Sequence, residues 1–124
     1  MSRRSKGDMA AEVLVLARAI LSDPEKCARV ATAQDRDGRW VDLRSPSAVA
    51  WCPYGGIYIA VPHKSDEDYR KRNAAKIFLD AVVARRYQQT TIGWWDRSPS
   101  THTQLMEAFD EAIADARSDR KGAA

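Results

Sequence analysis

Residues 50–61 read AWCPYGGIYIAV and form the heart of the longest uncharged run in the chain. Whether they fold as helix or as strand decides the architecture. IYIAV is rich in β-branched side chains and passes for a buried strand, and Gly55 and Gly56 each weaken a helix by about 1 kcal/mol relative to alanine. Against that, Ser45-Pro46 has the form of an N-cap followed by proline at the first helical position, which favours a helix through the run. Periodicity in so apolar a segment does not separate the two.

Toward the C-terminus the signals sharpen. Ser65 caps DEDYRKRNAAKIFLDAVVARRY, residues 66–87, whose first turn is acidic and last turn basic, as the helix dipole favours. Its expected inner face is Ala74, Ile77, Phe78, Ala81 and Val82. QQTTIGWWDRSPS, residues 88–100, shows no helical pattern and reads as a connector. A last helix begins at Thr101, with Gln104 at capping-box spacing, and turns Leu105, Phe109, Ala112, Ile113 and Ala116 inward.

Toward the N-terminus, Asp37-Gly38 is a turn signal between residues 29–34 and 39–43, which predicts a short hairpin lying on helices. Before it, Met9, Val13, Leu16, Ala17 and Ile20 recur at helical spacing, Leu14 and Leu21 widen the stripe, and Asp8 is placed to cap. Proline at position 24 ends that helix or starts a new turn. The expectation is a mainly α, compact four-helix domain over residues 8–117, with a small β-hairpin or irregular excursion between its first two helices. Residues 48–61 are expected to run through its centre, residues 1–7 to form a disordered basic arm, and residues 118–124 to fray.

A chain of 124 residues with 44% hydrophobic and 30% charged residues buries one core without staples. The pI near 9.0 suggests nucleic acid, but Arg3, Arg4 and Lys6 supply the whole net charge of +3 and leave 17 basic against 17 acidic residues elsewhere. The excess sits in the arm, where a solubilising role is commoner than phosphate binding. No segment is long and apolar enough to span a bilayer. Cys27 and Cys52 are expected as free thiols in a cytoplasmic protein.

The combination of WCPYGG (51–56), WWD (94–96) and STHTQLMEAFDEAIADA (100–116) resembles a family of small uncharacterised bacterial and phage proteins. That family shows aromatic-Cys-x-x-Gly-Ala, then Trp-Asn-Asp, then a Thr-x-x-Glu helix start. Gly56 stands where alanine is usual and Trp95 where asparagine is. The resemblance implies that Cys52, Gly55, Trp94 or Trp95, Asp96 and Thr101 belong to one scaffold, favours a helix over residues 47–61 with Cys52, Gly55 and Gly56 as a small-residue patch, and implies no known reaction; Gln104 joins Thr101 as the structural motif at the start of the last helix.

A nucleophilic Cys52 needs a stabilised thiolate and a nearby base. Only His63, in a surface-loop composition, and His102, in a first helical turn, are available. Cys27, Cys52, His63 and His102, separated by 25, 11 and 39 residues, match no zinc spacing, so neither metal nor other cofactor is expected. Glu107, Asp110, Glu111 and Asp115 against Arg70, Lys71, Arg72 and Lys76 predict a bipolar surface that suits a protein partner. Adjacent tryptophans rarely share an inward direction, so one of Trp94 and Trp95 is expected to be exposed as an anchor beside Arg97. Asp96 is expected to accept from the amides of RSPST. These features predict a non-catalytic interaction or regulatory protein of phage or mobile-element type that binds a protein partner. The alternatives are nucleic-acid binding through residues 66–87 and the tryptophan pair, and a Cys-dependent enzyme.

Overall fold

A computed structural model describes residues 5–122. Five helices and one short antiparallel strand pair follow in the order α1 (Lys6–Ile20), a 3-10 turn (Pro24–Lys26), β1 (Ala33–Gln34), β2 (Ala50–Trp51), α2 (Pro53–Ala60), α3 (Asp66–Tyr87), α4 (Thr91–Arg97) and α5 (His102–Gly122). The mainly α class is as expected. The fifth helix, α4, lies in the segment read as a connector. It spans seven residues and is capped by Thr90, whose Oγ1 accepts from Gly93 N–H at 3.1 Å. A helix under two turns long is too short to display a period.

The deciding stretch is both strand and helix. Ala50 and Trp51 pair with Gln34 and Ala33, and Cys52 N–H donates to Thr32 C=O at 3.1 Å. The chain then switches to helix at Pro53, with Cys52 as N-cap and proline at the first position. Ser45-Pro46 caps no helix; Ser45 instead closes a turn, its Oγ accepting from Ser47 N–H at 3.2 Å. A helix over 47–61 is therefore corrected to 53–60. The predicted hairpin also changes partner. Its turn exists, with Asp35 N–H donating to Arg39 C=O at 2.9 Å, but residues 39–43 contribute a single bridge between Gln34 and Trp40. The strand ladder of β1 is made with β2.

The central element is α1, which packs against α5, α3 and α2; residues 48–61 flank it. Serving three neighbours, α1 buries Met9, Ala10, Ala11, Val13, Leu14 and Ala17, and small residues let the helices approach. Leu16, counted inward from its spacing, is 45% exposed. A stripe shared among three partners is wider than the one-sided stripe that periodicity assumes. The same error rotates α3, where Ala74, Ala75, Leu79, Val82 and Val83 are buried and Ile77 is 55% exposed. Leu105, Phe109, Ala112, Ile113 and Ala116 of α5 are all buried.

Caps fix the ends. Ser5, not Asp8, caps α1, its Oγ accepting from Asp8 N–H at 3.0 Å. Ser65 caps α3 and Gln88 closes it in the left-handed conformation. Thr101 and Gln104 exchange bonds of 3.1 and 2.9 Å before α5, the reciprocal capping box. Because α1 starts at Lys6 and α5 runs to Gly122, helix reaches into both segments expected as arm and tail; residues 1–4 and 123–124 lie outside the described residues.

Candidate functional site: a cleft beside the strand-to-helix switch

The WWD motif and Cys52 converge on one wall. Both indoles are 2% exposed, so neither is a surface anchor, contrary to expectation. A short helix held on two sides explains this. Trp94 stacks on Tyr87 of α3, with centroids 4.6 Å apart and planes 10° apart. Trp95 turns the other way and donates Nε1–H to Ala28 C=O at 2.7 Å. Burying two indoles gains about 4–6 kcal/mol each in transfer terms, comparable with the roughly 1–2 kcal/mol per residue needed to order seven residues. The pair therefore holds α4 folded.

The same motif pins the segment before β1. Arg29 lies over the Trp95 ring at 3.7 Å, donates to Trp95 C=O, and reaches Ser100 Oγ at 2.8 Å and Ser100 C=O at 2.5 Å. Asp96 Oδ1 accepts from Val30 N–H at 2.8 Å. Its partner is thus the opposite segment and not the RSPST amides. Held so, Val30 has φ of 66°, a left-handed conformation that a β-branched residue rarely adopts, and its side chain is 79% exposed.

Between this segment and α2 lies a cleft of about 410 Å³, lined by Val30, Thr32, Trp40, Cys52, Tyr54, Tyr58 and Asp96 among others. Trp40 at its edge is 76% exposed. Sequence spacing did not single out Trp40, Val30 or Arg29; the turn signal at Asp37-Gly38 was the one pointer to this loop. On the α2 wall, Tyr54 donates to Asp80 Oδ1 at 2.5 Å, and Thr91 Oγ1 donates to the same atom at 2.7 Å. Burial, then the Asp80 bond, pushes the Tyr54 phenol well above its ordinary value, so it remains protonated.

Cys52 is buried and caps α2, its Sγ accepting from Gly55 N–H at 3.3 Å. Burial raises its thiol above the usual value, which favours the protonated, unreactive form. No histidine lines the cleft. His63 is exposed and edge-on to Tyr69, and His102 Nε2 bonds Leu21 C=O at 2.8 Å. Burial and Asp23 push the Cys27 thiol up to about 11. Among the described residues no three of His, Cys, Asp and Glu are grouped to hold a metal ion.

The glycines explain how the wall is built. A Cβ on Gly55 collides with the Thr32 carbonyl, and one on Gly56 meets Leu21 Cδ1 at 2.7 Å. The first obstacle is backbone and the second the end of a flexible side chain.

Charges elsewhere pair across the surface. Arg85 pairs with Glu111 and Asp115, Arg86 with Glu111, Arg18 with Asp110, and Lys71 with Glu12. Three of the four acids expected on the outer face of α5 are thus engaged in ion pairs, whereas of the expected basic face only Lys71 is, among the described residues. Of the proposed contact residues, Arg72 and Lys76 are half-buried against Tyr58, while Arg70 and Arg97 are exposed. No helix among the described residues is long and apolar enough to cross a membrane.

No curated protein and no solved structure matches the chain. One family model does, over residues 6–115, which includes both strands, the first four helices, the WWD latch and most of α5. The chain belongs to that family, DUF6197, a family of unknown function.

Proposed function

We propose that this protein is a non-catalytic interaction protein, acting in the cytoplasm as an accessory factor of phage or mobile-element type. It binds a protein partner through the face around Trp40. The observation that carries this is the pairing of two exposed apolar side chains, Val30 and Trp40, on one cleft. One of them is held in a strained backbone conformation by Arg29 and Asp96, and exposed apolar groups fixed at such a cost are typical of recognition surfaces. Indole is also the side chain most often found as an interface anchor.

The alternatives have less support. A Cys-dependent enzyme needs a thiolate and a base, and Cys52 has a raised pKa and no imidazole in its cleft. Nucleic-acid binding by the Trp94–Trp95 pair needs open indole faces, and both rings are buried.

The test is affinity capture from the native host with the wild type beside Trp40→Ala, followed by titration of the purified captured protein. Trp40→Ala is expected to keep its fold and lose at least about tenfold in affinity, the scale of an interface hot spot. Equal affinity for both proteins would overturn the assignment of this face.

A further inference from the structure

Three cations contact Tyr58 near the C-terminal end of α2, two at its carbonyl and one at its hydroxyl, without an ion pair among the described residues. Arg44 Nη2 and Arg72 Nη2 donate to the same oxygen, Tyr58 C=O, at 3.3 and 3.1 Å. Arg72 Nε also donates to Val61 C=O at 2.6 Å. Lys76 Nζ donates to Tyr58 Oη at 2.9 Å and lies 4.6 Å from the Tyr54 ring centroid.

Among the described residues none of the three forms an ion pair, whereas Lys71, Arg85 and Arg86 of α3, the helix that carries Arg72 and Lys76, all do. Asp68 acts on Arg72 only through space, and the neighbouring carboxylates direct their hydrogen bonds elsewhere. Asp68 accepts from Lys64 N–H at 3.0 Å, and Asp80 accepts from Tyr54 and Thr91. The helix C-terminus offers at most about half a negative charge, less than the two guanidinium groups that share Tyr58 C=O carry, and Lys76 adds a third positive charge at the phenol end of the same side chain.

Their number argues for a discrete ligand. Binding along a nucleic-acid backbone uses a succession of unpaired cations, but here the remaining basic residues of α3 are mostly paired, and Arg36 and Arg39 alternate with Asp35, Asp37 and Asp42. Tyr58 belongs both to this notch and to the cleft beside Trp40. We infer that the notch formed by Arg44, Arg72 and Lys76 binds one oxyanion, presented as an acidic side chain by the protein partner whose apolar residue sits at Trp40. The inference rests on the interaction function proposed above and names the charge of the partner. A carboxylate fits because guanidinium groups offer paired N–H donors to its two oxygens.

Glutarate is the probe, titrated at constant ionic strength while the arginine Nε–H and backbone amide NMR signals are followed. Saturable shifts are expected at Arg72 Nε–H and the amides of residues 58–61, with half-saturation on the order of millimolar, and none with chloride. Arg44 is exposed and held by a single bond of 3.3 Å, so Arg44→Gln should fold normally and raise the half-saturation point at least about fivefold; Lys76→Gln should do the same. Shifts that chloride reproduces, or that both variants leave unchanged, would overturn the inference even if Trp40-dependent capture succeeds. Glutarate binding with no Trp40-dependent capture would instead remove the partner and leave an oxyanion site alone. A ten-nucleotide oligothymidylate that displaces glutarate and binds at least tenfold more tightly would reassign the notch to phosphate and overturn the carboxylate.

Discussion

Cys52 acts as a helix cap with a buried body, and its chemistry follows from that position. Replacing it with alanine removes both the Gly55 N–H acceptor and the packing, and is expected to cost about 1–2 kcal/mol in urea unfolding. Cys52→Ser keeps an acceptor and should cost less, and Cys52→Leu should cost more. In the native protein Cys52 should react with a thiol reagent only as fast as the fold opens, because its thiol is buried and protonated. Labelling at the rate of a free thiol would contradict this. The two glycines give a sharper contrast. Gly55→Ala should destabilise by about 3 kcal/mol or more, since the Thr32 carbonyl cannot yield without breaking the β1–β2 pairing, whereas Gly56→Ala should lie within about 1 kcal/mol, gained helix propensity offsetting the shift of Leu21. Equal losses on thermal melting would refute the backbone argument.

At the scale of elements, what the sequence shows depends on how local the determinant is. Ser65 with its acidic first turn, and Thr101 with Gln104, mark the starts of α3 and α5 within a few residues, and both were readable. The one-sided stripe of α5 was readable too. The start of α2 was hidden because cysteine is not a usual N-cap, and because the strand before it exists only through Thr32 and Gln34. α4 was hidden by its length. Both tryptophans are buried, against the expectation that one is exposed, because the seven residues of α4 are clamped between α3 and the Ala28–Val30 segment. Of the candidate site, Cys52 and Asp96 were legible through their motifs; Val30, Arg29 and Trp40 were not, because only the fold brings them together. The latch is testable as a unit. Asp96→Ala frees Val30 N–H from its acceptor and should raise proteolytic cutting at residues 28–32 several-fold, while Trp40→Ala should leave cutting and stability unchanged within about 0.5 kcal/mol. Unchanged cutting in Asp96→Ala would mean that Asp96 does not hold this segment.

Over the whole molecule, charge is paired along the α3–α5 seam and left without ion pairs around Tyr58. The α3–α5 seam carries Arg85 and Arg86 against Glu111, whose carboxyl is held below its ordinary 4.5, first by Arg85 and then by Arg86. A depressed folded-state value means that the contribution is complete above the ordinary value and is lost as pH falls through the lowered one. Stability should therefore decline below about pH 4.5, and Glu111→Gln should lose less than the wild type between pH 7 and pH 3 in urea unfolding, by a modest margin because the pair is partly solvated. An unchanged acid limb would exclude Glu111 as a source.

The cleft of Val30 and Trp40, joined through Tyr58 to the unpaired cations, is the face proposed to meet a partner. Hydrogen–deuterium exchange of the protein with and without its captured partner tests that assignment most directly. New protection is expected at residues 30–44 and 58–61, with no change at residues 91–100. Protection confined to 91–100, or to the paired α3–α5 seam, would contradict it.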